Sequence, residues 1–297
     1  MTLVAAFRSM GRIVVLSDMM ISDERSRRCR NRIPGRLKSI VLNRWLTVSY
    51  AGLSIQAIDA IRRLIAVDPI TTDLAVEYLR ESAAVMKDEL DFLVCSHEAP
   101  EHPRLIKISG SWVSEGQDLY WIGSQASASG FARMELPPAQ GETGGENYSL
   151  EERRFTRRFH CYLDQGADDA VGGMVINCLA SPHGHCYQDH AGAYVDRVTI
   201  PDPLEPALRQ RMHDAGMNGH YKYAVMATHE RGLALVGTYF EQAKIGFIHE
   251  PLLRDEPEKI EARDQIEFQA AIAERTKACM RDQEARAIAQ STAQPVK

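Results

Sequence analysis

The sequence predicts an α+β fold built on antiparallel sheets. Strand-like runs occupy the first 50 residues, two helical segments follow, and strand-like runs then return before a final helical segment. Strands and helices grouped in separate runs are typical of antiparallel α+β layers, whereas a parallel doubly wound sheet alternates strand and helix. The chain has 297 residues, 44% of them hydrophobic and 25% charged, which is enough to build a large core.

The chain begins with a predicted β-hairpin. Residues 3–8 and 12–17 are apolar strand patterns, and Met10 and Gly11 form the turn between them. The first residues of most domains are poorly ordered. A strand that starts directly after Thr2 therefore needs a reason.

Two further strands, 39–42 and 46–50, end at Ala51-Gly52, and two helices follow. The first helix is predicted from Ile55, Ile58, Ile61 and Leu64, which recur every three residues. The second is predicted to bury Leu74, Tyr78, Met86 and Leu90 and to begin at Thr71 as its N-cap.

Strand patterns return after the second helix and continue through most of the chain, with two helical segments between them. Strands are predicted at 91–95, 105–109, 118–123, 171–179, 223–228, 233–239 and 243–248, and helices at 127–135 and 150–163. Residues 2–254 are interpreted as one domain. Residues 255–297 are a charged helical extension with an apolar stripe at Ile260, Ile266 and Ile272 and a disordered end at 291–297.

Composition excludes several classes of function. The net charge of −5 gives no general attraction to nucleic acid or acidic membranes. No signal peptide or membrane-spanning run is recognisable, and the six cysteines lack the spacing of a disulfide framework. We expect a cytoplasmic protein with no nucleic-acid or membrane partner.

Thr2 has a specific chemical use if Met1 is removed. An N-terminal threonine carries a hydroxyl nucleophile and a free amine on one residue. An α-amine has a pKa of about 7.7–8.0, so it can act as general base near neutral pH. Such a nucleophile requires an N-terminus fixed on a rigid element, which a strand starting at residue 3 would supply. The alternative is that threonine is simply a common second residue.

Four motifs add to this interpretation. Gly11 and Ser17-Asp18 follow Thr2 in the predicted hairpin, and Lys38 stands fourteen residues before Gly52. YWIGSQASASGFA and DDAVGGMVINCLA complete the set. Over residues 2–180, these motifs resemble proteasome β-type subunits and the bacterial proteasome-like peptidase that works with an ATP-dependent unfoldase.

The resemblance implies a four-layer α-β-β-α sandwich of the N-terminal nucleophile hydrolases, with a helical C-terminal extension. It implies catalysis by Thr2 with Asp18, Lys38, Ser124 and Asp168. The Gly52 N–H would stabilise the oxyanion. Ser22 and Tyr50 would contact the substrate. No cofactor or metal is implied.

The chain departs from the family pattern in three places. Val171 stands where the family has a supporting serine, Leu3 replaces a small second residue, and the segment between Asp18 and Lys38 is longer than usual. These differences leave the nucleophile, lysine and aspartate in place but weaken the case for efficient peptide hydrolysis.

Three readings of function therefore stay open. The favoured one is a threonine peptidase acting on peptides in a homo-oligomer, with a ring and an ATP-dependent unfoldase as family-like features. The others are a non-peptidase amidohydrolase acting on a small amide, and a catalytically silent scaffold subunit.

Two further sets of residues are interpreted as ordinary structure and not as functional sites. The arginine-rich run at 25–36 is read as a solvated loop, and His183, His185, Cys186 and His190 as a turn rather than a zinc site.

Overall fold

The computed structural model describes residues 2–23, 28–30, 35–67, 70–86, 89–123, 125–135, 149–165, 171–195, 210 and 220–293. In chain order the strands are β1 (Leu3–Ser9), β2 (Arg12–Asp18), β3 (Ile21–Asp23), β4 (Arg28–Arg30), β5 (Ser39–Val41), β6 (Leu46–Gly52), β7 (Leu90–Ser96), β8 (Arg104–Ser109), β9 (Trp112–Glu115), β10 (Leu119–Gly123), β11 (Val175–Ala180), β12 (Cys186–Tyr187), β13 (His190–Val195), β14 (His220–Ala227), β15 (Val236–Phe240), β16 (Ile245–His249) and β17 (Glu258–Glu261). The helices are α1 (Ser54–Ile65), α2 (Thr72–Val85), α3 (Gln125–Arg133), α4 (Leu150–Gln165) and α5 (Gln265–Ala293).

The strands form three five-stranded sheets and one small hairpin, all of them antiparallel. The first sheet has the order β10-β1-β2-β11-β12, the second β5-β6-β7-β8-β9 and the third β13-β14-β15-β16-β17. Strands β3 and β4 pair only with each other among the described strands. This mixed architecture agrees with the α+β class predicted from the sequence.

The central core lies between the first sheet and the other two. Residues on one face of β1 and β2, such as Val4 and Val15, belong to the same buried cluster as Leu93 of the second sheet and Val225 and Phe247 of the third. Successive side chains of a strand point to opposite faces. The residues between them, such as Leu3 and Leu16, therefore pack on the other side of the first sheet.

Helices cover the remaining face of each sheet. Phe131 of α3 and Phe159 of α4 pack on the first sheet. Ile61 of α1 and Leu79 of α2 pack on the second. Phe268, together with Ile272, attaches α5 to the third sheet. The inner strands of each sheet are thus covered on both faces, which explains why strands such as β2, β6 and β15 are nearly continuous apolar runs.

Most predicted elements are present, but two predicted helix faces are wrong. In α2 the buried residues include Ala75, Leu79 and Ala83, whereas Leu74 is 37% exposed and Leu90 belongs to β7. Thr71 does cap this helix, because its side chain accepts a hydrogen bond from the Leu74 N–H.

The predicted stripe on the C-terminal helix is also wrong. Ile260 lies in β17, Ile266 is 83% exposed, and only Ile272 is buried in the helix contact. The segment after residue 254 adds β17 to the edge of the third sheet, and α5 packs on a face of that sheet. Helix α5 also includes residues 291–293, which were predicted to be disordered. Residues 294–297 lie outside the described part of the chain, and the domain boundary at 254 stays a prediction. None of the helices in the described ranges is long and apolar enough to cross a membrane.

We expect a Gly246→Ala variant to lose about 1–3 kcal/mol of unfolding free energy, because the added methyl overpacks a filled contact. A Cβ at Gly246 would overlap the ring of Phe268, which is fully buried. Urea unfolding measures the loss, and a second change, Phe268→Leu, should recover part of it by making room. An unchanged unfolding midpoint in Gly246→Ala would contradict the packing of α5 on this sheet.

Candidate functional site

The hairpin of β1 and β2 sets which residues surround Thr2. Met10 and Gly11 have φ values of 50° and 72°, and positive φ at both central residues is what a type I′ turn requires. The resulting register pairs Val4 with Ser17, so the next position along brings Leu3 opposite Asp18. A slip of one residue would turn every side chain to the opposite face. The turn therefore fixes Asp18 beside the start of the chain.

Strand β10 holds the other side of the N-terminal strand. Leu3 pairs with Gly123, which has a φ of 137°. A Cβ at this position would overlap the carbonyl oxygen of Thr2. Glycine in the Gly-Ser motif is thus required by the close approach of Thr2, which is itself only 5% exposed.

Asp18 connects the N-terminal strand to Lys38. Its Oδ1 accepts hydrogen bonds from the Leu3 N–H at 2.9 Å and from Lys38 Nζ at 2.8 Å, while the Gly172 N–H donates to Oδ2 at 3.4 Å. The Lys38 side chain is 4% exposed and that of Asp18 is fully buried. Buried ion pairs persist where further hydrogen bonds satisfy the charged groups in this way.

The ion pair crosses the interface between two sheets. Asp18 ends β2 in the first sheet, and Lys38 directly precedes β5 in the second. The Lys38 carbonyl accepts a hydrogen bond from the Tyr50 N–H at 3.0 Å, which ties its backbone to β6. The position of the ammonium relative to the start of the chain therefore depends on how the two sheets are held together.

Burial lowers the pKa of Lys38, and the attraction of Asp18 opposes that shift. A charged ammonium at this position would lower the proton affinity of a nearby amine or hydroxyl. The structure thus brings together Thr2, Asp18 and Lys38, three of the residues named from the sequence.

Gly52 and Tyr50 lie on β6, the strand whose Tyr50 N–H binds the Lys38 carbonyl. Gly52 is exposed at the end of the strand, with a φ of 102°, and a Cβ there would overlap the carbonyl oxygen of Glu89. Tyr50 is fully buried between the second sheet and its helices, and its hydroxyl donates to the Leu37 carbonyl at 3.2 Å. Burial raises the pKa of the Tyr50 hydroxyl. The roles of Gly52 as an oxyanion donor and of Tyr50 in substrate selection stay predictions.

The other predicted site residues lie at the limits of the described chain. Ser22 is in β3 opposite Cys29, and its side chain is outside what the structure describes. Ser124 and Asp168 lie outside the described residues. Val171, which replaces the family's supporting serine, is buried among the apolar residues beneath the first sheet.

The side chains of the histidine and cysteine run lie in separate surroundings. His185 is buried against Thr47 and His97, His190 faces the Val175 carbonyl, and His183 is exposed. Within the described ranges, no three histidine, cysteine or acidic side chains are grouped to hold a metal ion.

Sequence reasoning missed the Gly172 N–H as a ligand of Asp18, and it missed two tyrosines, Tyr187 and Tyr223, that bind the backbone near the ion pair. The glycine pair of the DDAVGGMVINCLA motif was a signal for the first. The tyrosines carry no local signal, because the atoms they bind are distant in the sequence.

In comparisons with known proteins, no family model matches the chain, and no curated protein is significantly similar to it.

Proposed function

We propose that this protein hydrolyses amide bonds with Thr2 as the nucleophile after removal of Met1, and that its substrates are peptides. The observation that carries the proposal is the Asp18 carboxylate, one oxygen of which accepts hydrogen bonds from both the Leu3 N–H and the Lys38 ammonium. This contact links a buried cation, through the carboxylate, to the backbone N–H of the residue that directly follows the proposed nucleophile.

The packing of the sheets supports a four-layer α-β-β-α sandwich of the N-terminal nucleophile hydrolases. Helices α3 and α4 would form one outer layer, the first sheet the next, the second and third sheets another, and α1, α2 and α5 the last. In this arrangement Thr2 and Lys38 come from the two facing sheet layers.

The proposed reaction has two steps. The Thr2 hydroxyl attacks the amide carbon while the α-amine takes its proton, and a positive Lys38 favours loss of that proton. The Gly52 N–H would stabilise the oxyanion. The amine leaving group takes the proton as the C–N bond breaks, which leaves an ester on Thr2. A water molecule then attacks the ester carbon and passes a proton through the α-amine to Thr2 Oγ, and the C–O bond to Thr2 breaks to release the carboxylic acid and restore the hydroxyl.

The remaining residues have supporting roles in this proposal. Ser124 and Asp168 would orient the α-amine and its proton. Ser22 would bind an extended substrate as an added strand, and Tyr50 would shape the region that receives the side chain beside the cleaved bond. We further propose a cytoplasmic homo-oligomer, with a ring and an ATP-dependent unfoldase as its family-like features.

One observation favours a weaker activity. Val171 is buried and apolar where the family has a hydroxyl, so the amine would have fewer hydrogen-bond partners. This difference supports the two alternatives, a hydrolase of small non-peptide amides and a catalytically silent scaffold.

The proposal is tested by the intact mass of the purified protein before and after exposure to a peptide epoxyketone, which bonds to both the hydroxyl and the amine of an N-terminal threonine. We expect loss of Met1 and a single adduct, no adduct on Thr2→Ala, and a retained adduct on Thr2→Ser. Retained Met1 without an adduct would favour the silent scaffold. Loss of Met1 without an adduct, combined with turnover of small amides, would favour the non-peptidase hydrolase.

A further inference from the structure

The backbone opposite Asp18 is held by side chains instead of a strand. Val175 pairs with Asp18 across β11 and β2, and β12 pairs with β11 only at Cys178 and Leu179. At Val175 the outer edge of β11 is occupied by two side chains of the third sheet. The Val175 N–H donates to Tyr223 Oη at 2.9 Å, and His190 Nε2 donates to the Val175 carbonyl at 2.9 Å.

The same arrangement occurs on the strand that follows Lys38. Strand β5 is an edge of the second sheet, so its outward backbone groups need partners. Tyr187 Oη donates to the Ser39 carbonyl at 2.9 Å and accepts from the Val41 N–H at 3.3 Å. A single hydroxyl thus satisfies two backbone groups that a neighbouring strand would otherwise bind.

These contacts lie on both sides of the ion pair. Ser39 directly follows Lys38, and Val175 lies opposite Asp18. Tyr187 is 3% exposed and Tyr223 is 4% exposed, so water does not readily replace their hydroxyls. Both side chains come from the part of the chain beyond residue 180, where the resemblance to the peptidase family gives no role.

We propose that Tyr187 and Tyr223, assisted by His190, are positioning residues that set the separation of Lys38 and Asp18 and so direct the ammonium at Thr2. The proposal rests on the proposed function for its catalytic consequence. It assigns a purpose to Tyr187 of β12, at the edge of the first sheet, and to Tyr223 and His190 of the third sheet, which would hold the ends of the two strands that meet at the site.

The physical basis is the cost of an unpaired buried amide. Removing either tyrosine hydroxyl leaves the N–H of Val41 or Val175 without an acceptor, and such a group is expensive to bury. The strand then shifts to find another partner, and displacements of about 1 Å are enough to slow an enzyme by up to about 100-fold. Lys38 and Asp18 would move apart with it.

The charges around these groups define what a titration would report. Among the described residues, Asp18 is the charged group that affects Lys38. His190 is influenced by Asp189 and influences His160, and Asp164 acts on His160 and Tyr223. A shift in the pH at which Lys38 titrates can therefore be distinguished from the titration of His190 and the groups that interact with it.

The test compares Tyr187→Phe and Tyr223→Phe with the matched control Tyr239→Phe. Tyr239 is also fully buried in the third sheet, and its hydroxyl donates to the Ala262 carbonyl at 2.9 Å, on the side that faces α5. Each variant is measured for thermal unfolding, for the rate of epoxyketone adduct formation against pH, and for titration of Lys38 by NMR on lysine-labelled protein.

We expect adduct formation to slow by about tenfold or more in the two test variants and by less than about twofold in Tyr239→Phe. We also expect Lys38 to lose its proton at a lower pH in the test variants. His190→Gln, which retains an N–H donor, should label faster than His190→Ala. The proposal would be overturned if Tyr187→Phe and Tyr223→Phe formed the adduct at the rate of Tyr239→Phe and showed the same Lys38 titration.

The two proposals fail in different ways. If the wild-type protein forms no adduct, the proposed function is contradicted. The positioning role of Tyr187 and Tyr223 is then tested by the Lys38 titration alone. A shifted Lys38 titration in Tyr187→Phe and Tyr223→Phe then supports that role, and an unshifted one overturns it.

Discussion

Replacing Asp18 with asparagine should lower the free energy of unfolding by about 3–5 kcal/mol, because it leaves the Lys38 ammonium buried without a counter-charge. Asparagine has nearly the same shape, and its Oδ1 can still accept the Leu3 N–H. The lost interaction is the 2.8 Å ion pair with Lys38, whose side chain is only 4% exposed. Urea unfolding at pH 7.5 measures the loss, and adduct formation on Thr2 should fall with it.

A double-mutant cycle separates the stability effect from the chemistry. Lys38→Met should also destabilise the protein, because it leaves the Asp18 carboxylate buried and unpaired. The combination of Asp18→Asn and Lys38→Met should recover most of the lost stability, because it leaves no buried charge without a counter-charge. Adduct formation should stay low in the double variant, because the Lys38 cation is gone.

A surface ion pair supplies the control. Asp118 pairs with Arg8 at 2.9 Å, but the Asp118 side chain is 68% exposed. Asp118→Asn should therefore change the unfolding free energy by less than about 1 kcal/mol. Equal losses in Asp18→Asn and Asp118→Asn would contradict the buried pair, and normal adduct formation in the double variant would contradict the role of Lys38.

The local features of the N-terminal part could be predicted from the sequence. A hairpin with a two-residue turn fixes its own register, so the positions of Thr2, Gly11 and Asp18 along the chain determined their arrangement in space. The contact of Asp18 with Lys38 was less local. It was inferred from the resemblance, and periodicity alone gave no sign that the two residues meet across two sheets.

The helix faces were mispredicted because the large apolar residues were counted and the small ones were not. Helix α2 packs on β7 and β8 through Ala75, Leu79 and Ala83, and alanines allow a helix to lie close to a sheet. Tyr78 and Met86 are only partly buried at the margin of that contact. In α5 the ring of Phe268 fits over two glycines, Gly237 and Gly246, a match that no apolar stripe reveals.

Several strands were missed because they are short or lack alternation. All four residues of β9 are exposed, so the strand has no buried side to detect. Strands β12 and β17 have two and four residues, respectively. The hydroxyl of Tyr187 binds a backbone 146 residues away in sequence, and contacts of this kind depend on the packed sheets.

The fold should lose stability on mild acidification, because it buries histidines in their neutral form. Thr47 Oγ1 lies 2.8 Å from His185 Nδ1, His185 Nε2 lies 3.0 Å from His97 Nδ1, and His97 Nε2 lies 3.0 Å from the Gly11 carbonyl oxygen. A carbonyl only accepts, so His97 donates through Nε2 and accepts at Nδ1 from His185, which in turn accepts from Thr47. Two neutral rings satisfy every one of these contacts.

An added proton would have no acceptor in this chain of hydrogen bonds. Burial, with a smaller contribution from His97, lowers the pKa of His185 to about 3, and burial lowers the pKa of His249 to about 3 as well. Burial also lowers the pKa of His97. In the unfolded chain these rings have a pKa of about 6.5.

The sign of the effect follows from proton binding. Below pH 6.5 the unfolded chain takes up protons that the folded protein does not bind, so the unfolding free energy falls as the pH falls. Between pH 7.5 and pH 5, His185 and His249 should each remove about 2 kcal/mol. Aspartate and glutamate side chains titrate mainly below this window, so the loss reports on the histidines.

Urea unfolding at half-unit intervals from pH 7.5 to pH 5 measures this dependence. His249→Gln should flatten the slope, because it removes one ring that only the unfolded chain protonates, even if the variant is less stable at pH 7.5. His183→Gln, at an exposed position, should retain the wild-type slope. A wild-type unfolding free energy that is constant across this range would mean that the buried rings accept protons in the folded state, and the neutral hydrogen-bond chain from Thr47 to Gly11 would then be wrong.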